Sequence, residues 1–176
     1  MKVKHLKNIK PAITPVWFLT RKDYLSVYFI PRESTKYDLN SDIEQLDWNK
    51  STGLSFSPLW DSHRNTMMLG WRYNLEKDVF EFTYYAHRNN KEVAKSDNLA
   101  IKAKVNEPVK MWIDKDRVHI TNLITGDSLM TQIDNFRTSK WARSINPWFG
   151  GTLPPPSTVT YDLYWNITDT QLKELL

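Results

Sequence analysis

The densest run of chemically capable side chains is LWDSHRNTMMLGWRY, Leu59 to Tyr73. Trp60, Asp61, His63, Arg64 and Asn65 form a polar approach, predicted to be a loop, to an apolar stretch from Met67 to Tyr73 that carries Trp71 and Arg72. Sugar recognition needs a flat apolar face for the ring and convergent donors and acceptors for its hydroxyls. Trp60 or Trp71 would supply the face. Asp61, His63, Asn65 and Arg72, with His87 on a later strand, would supply the polar groups. The same residues also allow a structural account, in which Trp71 is core and Arg72 pairs with a carboxylate on its own sheet.

Other chemistries find less to work with. His63, His87 and His119 with Asp61 match no compact metal-ligand spacing. Asp38, Asp42, Glu44 and Asp47 could offer oxygens to a hard cation, but they lack the Asp-x-Asp-x-Asp-Gly arrangement and read as a solvated segment. A glycosidase needs two carboxylates facing across a cleft; Glu81 stands in an aromatic strand with no partner visible in sequence. There is no G-x-S-x-G turn, and the chain has no cysteine. These residues point to binding rather than catalysis, and they imply no metal and no cofactor.

The elements that must position them are strands. Leu25, Val27 and Phe29 alternate with polar or aromatic neighbours, as do Phe80, Phe82 and Tyr84. The pattern returns in Ile101, Ala103 and Val105, in Val109, Met111 and Ile113, in Val118 and Ile120, and in Val159, Tyr161, Leu163 and Trp165. Asp114-Lys115-Asp116 predicts a hairpin and Gly126-Asp127 a turn. Eight Trp, eight Tyr and seven Phe among 176 residues suit pleated, half-buried surfaces. The expectation is one all-β domain over residues 1–176, a two-sheet antiparallel sandwich of the concanavalin-like or jelly-roll kind. Two segments depart from alternation. Tyr37 to Lys50 is polar and aperiodic and predicts a long loop; Asp169 to Leu176 predicts a short C-terminal helical turn capped by Thr168 or Asp169.

PWFGGTLPPPS, Pro147 to Ser157, admits two readings. As structure, Gly150-Gly151 and the prolines shape a corner while Trp148 and Phe149 fill the core. As function, it is a rigid aromatic rim beside a binding face. Taken with QLDWNKSTGLSF (Gln45 to Phe56) and HRNTMMLGWRY (His63 to Tyr73), this segment resembles bacterial and phage β-sandwich proteins. Those carry D-x-N-K-x-x-G-F-S, H-x-N-S-x-x-x-G-W-R and P-Y-F-G-G-x-x-x-A-P segments in the same order. His63, Asn65, Gly70, Trp71 and Arg72 align in the second, and Pro147, Phe149, Gly150, Gly151 and Pro155 in the third. Thr66, Trp148 and Pro154 depart from the pattern. The resemblance implies a fold similar to concanavalin-like lectins and jelly-roll polysaccharide lyases. It implies no particular chemistry, because the paired His/Tyr and Arg/Gln signatures of the lyases are not recognisable.

The net charge of +4 is mild, and no block of five like charges occurs. Lys2, Lys4, Lys7 and Lys10 read as a solvated end, which argues against nucleic acid. No uninterrupted apolar segment reads as a signal peptide or a membrane span, so the expected setting is cytoplasmic or virion-associated. The first functional expectation is a non-enzymatic recognition domain that binds a glycan or glycan-like ligand through Trp60, Asp61, His63, Asn65, Arg72 and His87. Its rival is a phage-encoded module that engages a host intracellular protein. A polysaccharide-active enzyme is third.

Overall fold

The computed structural model describes residues 2–5, 19–20, 24–57, 64–95, 99–114, 116–133, 142–145, 147, 149–150, 153, 155 and 157–176. Its strands are β1 (Lys2–His5), β2 (Leu19–Thr20), β3 (Tyr24–Pro31), β4 (Asn49–Ser55), β5 (Asn65–Asn74), β6 (Val79–Arg88) and β7 (Lys91–Lys95). They continue as β8 (Ile101–Ala103), β9 (Val109–Asp114), β10 (Arg117–Asn122), β11 (Ser128–Gln132), β12 (Ala142–Ile145) and β13 (Val159–Trp165). Two α-helices, α1 (Asp42–Gln45) and α2 (Asp169–Leu175), and one 3-10 turn at Glu33–Thr35 complete the set among the described residues.

The strands form two antiparallel sheets. The first runs β1-β13-β3-β9-β10-β11; the second runs β2-β12-β4-β5-β6-β7, with β8 also paired to β6. Alternation decides which side chains meet between them, because successive residues of a strand face opposite ways. Val27, Phe29, Met111, Ile113, Val118 and Ile120 of the first sheet share one buried cluster with Met67, Leu69, Trp71, Phe80 and Phe82 of the second. Phe29 stacks on Tyr161 with ring centroids 4.3 Å apart and meets Trp71 at 5.4 Å. The chain is a two-sheet antiparallel β-sandwich.

The segment from Tyr37 to Lys50 corrects an expectation, because it is not a long loop. Ser41 caps α1 by accepting from the Glu44 N–H, and β4 begins at Asn49. The buried Gln45 side chain then ties the segment down. Its Nε2 donates to the carbonyls of Tyr37 (3.1 Å) and Tyr73 (2.9 Å), and its Oε1 accepts from the Leu39 N–H. A second correction concerns Asn65, which opens β5 in register with Arg88 rather than lying in a loop. A third shortens the strand expected to run to Val105. It ends at Ala103, where Lys104 and Glu107 close a turn and Asn106 takes φ +64°.

The C-terminal helix forms where Thr168 and Gln171 cap each other reciprocally. Leu172 buries against Tyr28 and Ile30 on the outer side of the first sheet. Asp169 accepts from Lys110 Nζ at 2.7 Å and from the Tyr28 hydroxyl, which fixes the helix start to β3 and β9.

Candidate functional site

Three of the six candidate residues, Trp60, Asp61 and His63, lie outside the described residues. The other three sit on the β5–β6 hairpin but not together. Arg72 pairs in register with Glu81, and His87 with Thr66. Both point away from the first sheet, yet six residues of strand separate their levels, about 20 Å at the usual rise. Asn65 has the opposite parity. It is buried at the strand start, where its Oδ1 accepts from the Asn89 N–H. Trp71 is core, 1% exposed, so its ring is not available to a ligand.

The outward face of the second sheet is an unusual surface because most of it is closed. Thr66, Met68, Thr83, Tyr85 and Glu81 all point outward and all are buried. Tyr85 lies flat across Gly70, where an ideal Cβ would come within 2.5 Å of its Cε2. A glycine is required at that point by the ring rather than by the backbone. Met68, Tyr85, Trp48 and Ile145 form a second apolar cluster on this side.

Cations are seated on these rings. The Arg72 guanidinium stands 4.2 Å from the Trp48 ring centroid, while its Nε donates to Glu81 Oε2 at 2.7 Å and its Nη1 to the Leu46 carbonyl. Asn74 Nδ2 donates to the other Glu81 oxygen at 3.1 Å. Arg72 therefore has both the carboxylate partner of the structural account and an aromatic partner. Lys50 Nζ is 5.1 Å and Lys95 Nζ 5.6 Å from the Tyr85 centroid. Burial pushes the Lys50 ammonium below the ordinary lysine value, and Lys95 adds to this against opposing pulls from Asp47 and Glu92. His87 stacks beside Tyr85 with ring centroids 6.4 Å apart and planes 11° apart.

The motif segments serve a different purpose. Asn49 Oδ1 accepts from the Gly150 N–H at 2.7 Å, and Asn49 Nδ2 donates to the Tyr37 hydroxyl at 3.0 Å. The same hydroxyl accepts from the Tyr73 N–H. Phe149 packs edge-on against Tyr37 at 5.0 Å and against Trp71 at 6.4 Å. Asn49, Trp71 and Phe149-Gly150, one piece of each segment, thus clasp one corner of the core around Tyr37. The role of Tyr37 was invisible in sequence because every one of these contacts is long-range.

Among the described residues no three His, Asp or Glu side chains converge as metal ligands, and no helix is long and apolar enough to cross a membrane. No family model matches the chain, and no curated protein matches it in sequence. Solved structures similar to it in fold include chicken galectin 2 and a toad ovary galectin in complex with thio-digalactose. The first is 8% identical, with 93% of this chain and 100% of that one covered and a TM-score of 0.41. The second is 11% identical, with 90% and 97% covered and a TM-score of 0.40. These likenesses concern the fold alone.

Proposed function

We propose that residues 1–176 form one recognition domain that binds a glycan without transforming it, through the part of the second sheet's outward side that stays open around Lys95. One observation carries this reading. Three cations, Arg72 on β5, Lys50 on β4 and Lys95 on β7, are held on the rings of Trp48 and Tyr85 beside the buried Glu81 carboxylate. Fixed donors and acceptors of this kind suit hydroxyl and carboxylate groups, and their preorganisation lowers the entropic cost of binding. The rings are already covered by cations, so the ligand engages polar groups rather than a bare stacking platform. Glu81 balances Arg72, so the positive groups that favour an acidic glycan over a neutral one are Lys50 and Lys95.

The test is an array carrying neutral, uronate-bearing and sulfated glycans, probed at low and high salt. Retention should concentrate on the acidic members and fall with salt. Lys95→Glu, at an exposed position, should abolish it with the melting temperature unchanged, and Arg72→Lys should weaken it. Equal retention of neutral glycans, or full retention by Lys95→Glu, would remove the basis for the proposal.

A further inference from the structure

Away from that face, the rims of the two sheets approach each other at β8 and β11. A hollow of about 600 Å³ opens between them, lined by residues 99–102 on one side and 127–130 on the other. Its size falls within the range of ligand pockets, but its walls are unlike those of a small-molecule site. Both are sheet edges, since among the described residues β8 pairs only with β6 and β11 only with β10.

The direction of the free backbone groups follows from the ladder. The Asn122 N–H donates to the Asp127 carbonyl, and the Ile133 N–H donates to the Asp116 carbonyl, both at 2.9 Å. Hydrogen-bonded and non-bonded pairs alternate in an antiparallel ladder. Leu129 and Thr131 therefore spend their backbone groups on β10, while Ser128 and Met130 turn theirs outward. Across the hollow, the Lys102 carbonyl is already satisfied by Asn122 Nδ2 at 2.8 Å. The rim available for pairing is β11.

That rim lacks the usual guards. Edge strands are protected by lysines, prolines, bulges or brevity. β7 carries Lys91 and Lys95 and a register shift, β1 carries Lys2 and Lys4, and β2 and β8 are short. β11, Ser-Leu-Met-Thr-Gln, has none of these. Met130 is 65% exposed, and so is Leu99 on the facing side of the hollow.

We infer that β11 is a docking edge for an extended peptide segment of a protein partner, which adds as a strand and sets alternate apolar side chains into the hollow. Main-chain bonds would supply affinity and the hollow would supply side-chain preference. Charge sets the orientation. An added strand antiparallel to β11 ends beside Ser128, at the same end of the hollow as Lys102, which is exposed and has no ion pair among the described residues. Asp127, at that end too, keeps its charge but is held within its own turn by the Thr125 hydroxyl, so the acidic residue of the added segment is placed on the β8 side of the hollow, where Lys102 stands. The favoured segment is therefore apolar at every second position and acidic at its C-terminal end.

The probe is a fluorescein-labelled heptapeptide of alternating valine and threonine ending in glutamate, followed by anisotropy against the full chain. Saturable binding is expected, with slowed amide exchange at Ser128 and Met130. Met130→Pro deletes only an outward N–H, a replacement tolerated at edges. It should weaken binding by at least about tenfold, the scale of one or two lost main-chain bonds. Lys102→Glu should weaken it by roughly threefold, as expected for one exposed charge pair. The exchange measurement on the unaltered chain stands even if Met130→Pro fails to fold. No saturation by about 1 mM peptide, where binding is below roughly 4 kcal/mol, overturns the inference. Unchanged exchange at both amides, or full binding by a folded Met130→Pro, overturns it as well. A concentration-dependent dimer that Met130→Pro dissolves would assign the edge to a second copy and overturn the peptide.

Discussion

Arg72 shows how one side chain can satisfy two accounts at once. Its partner Glu81 is 5% exposed, and removing the cation would leave a buried carboxylate with only Asn74 to answer it. Arg72→Ala should therefore cost about 3 kcal/mol in urea unfolding, whereas Arg72→Met with Glu81→Leu should recover most of that stability. His119 offers a second residue-scale expectation. It stacks on Trp112 with centroids 3.7 Å apart. Burial pushes its pKa below the ordinary histidine value of 6.5, and Arg117 adds to this against the pull of Asp114. The unfolded chain then binds more protons than the folded one in that window. Stability should be complete above pH 6.5 and fall as pH drops through 6.5 towards the lower folded value. His119→Phe, which keeps a flat ring on Trp112, should remove that portion of the pH dependence in thermal melts followed from pH 7.5 downward. Parity made Trp71-in and Arg72-out legible from sequence. That the outward side is itself buried was not, because period 2 sorts residues between faces without revealing what lies over either one.

At the scale of elements, the clasp around Tyr37 is more informative than any single strand. Burial raises its hydroxyl to about 12, so it remains protonated, and it accepts from both Asn49 Nδ2 and the Tyr73 N–H. Tyr37→Phe should strand two buried donors and cost about 2 kcal/mol, read from the shift of the denaturation midpoint. Gly150 is set against the Trp48 backbone, where a Cβ would collide with the carbonyl. Gly150→Ala should therefore destabilise by about 2 kcal/mol or more, since backbone cannot give way as a flexible side chain does. These contacts explain why the Tyr37 to Lys50 segment looked like a loop in sequence. A four-residue helix shows no periodicity, and the anchors Tyr37, Gln45 and Asn49 are polar or aromatic residues whose partners lie up to 101 positions away. Of the FGG segment, Phe149 as core and Gly150 as a glycine doing backbone work were legible, because glycine announces that work locally, while Trp148, Gly151, Pro154 and Pro156 lie outside the described residues.

For the whole molecule, alternation and aromatic content were enough to predict the sandwich, since Val27, Phe29, Met111 and Ile113 each carry the period that a two-layer core demands. The pairing order was not legible, because nothing local in KVKH announces that it meets the chain's last strand. β1 lies in register with β13 from Lys2 opposite Asp162 to His5 opposite Val159. Among the described residues the first sheet is thus closed on one side by a strand whose sequence carries two lysines, and left open on the other at β11. β13, beneath that cover, is VTYDLYW, aromatic and of high strand propensity. Removing residues 2–5 would expose its ladder groups as a second open edge of the same sheet, and two open edges allow the open-ended strand-to-strand growth that β11 alone cannot support. The shortened chain should therefore sediment as concentration-dependent oligomers while the intact chain does not. Lys2→Thr with Lys4→Thr, which keeps the strand but removes its charges, should give an intermediate result. If the shortened chain stayed monomeric at the same concentrations, β1 could not be the guard of that edge, and the asymmetry between β1 and β11 would lose its meaning for how this sandwich selects partners.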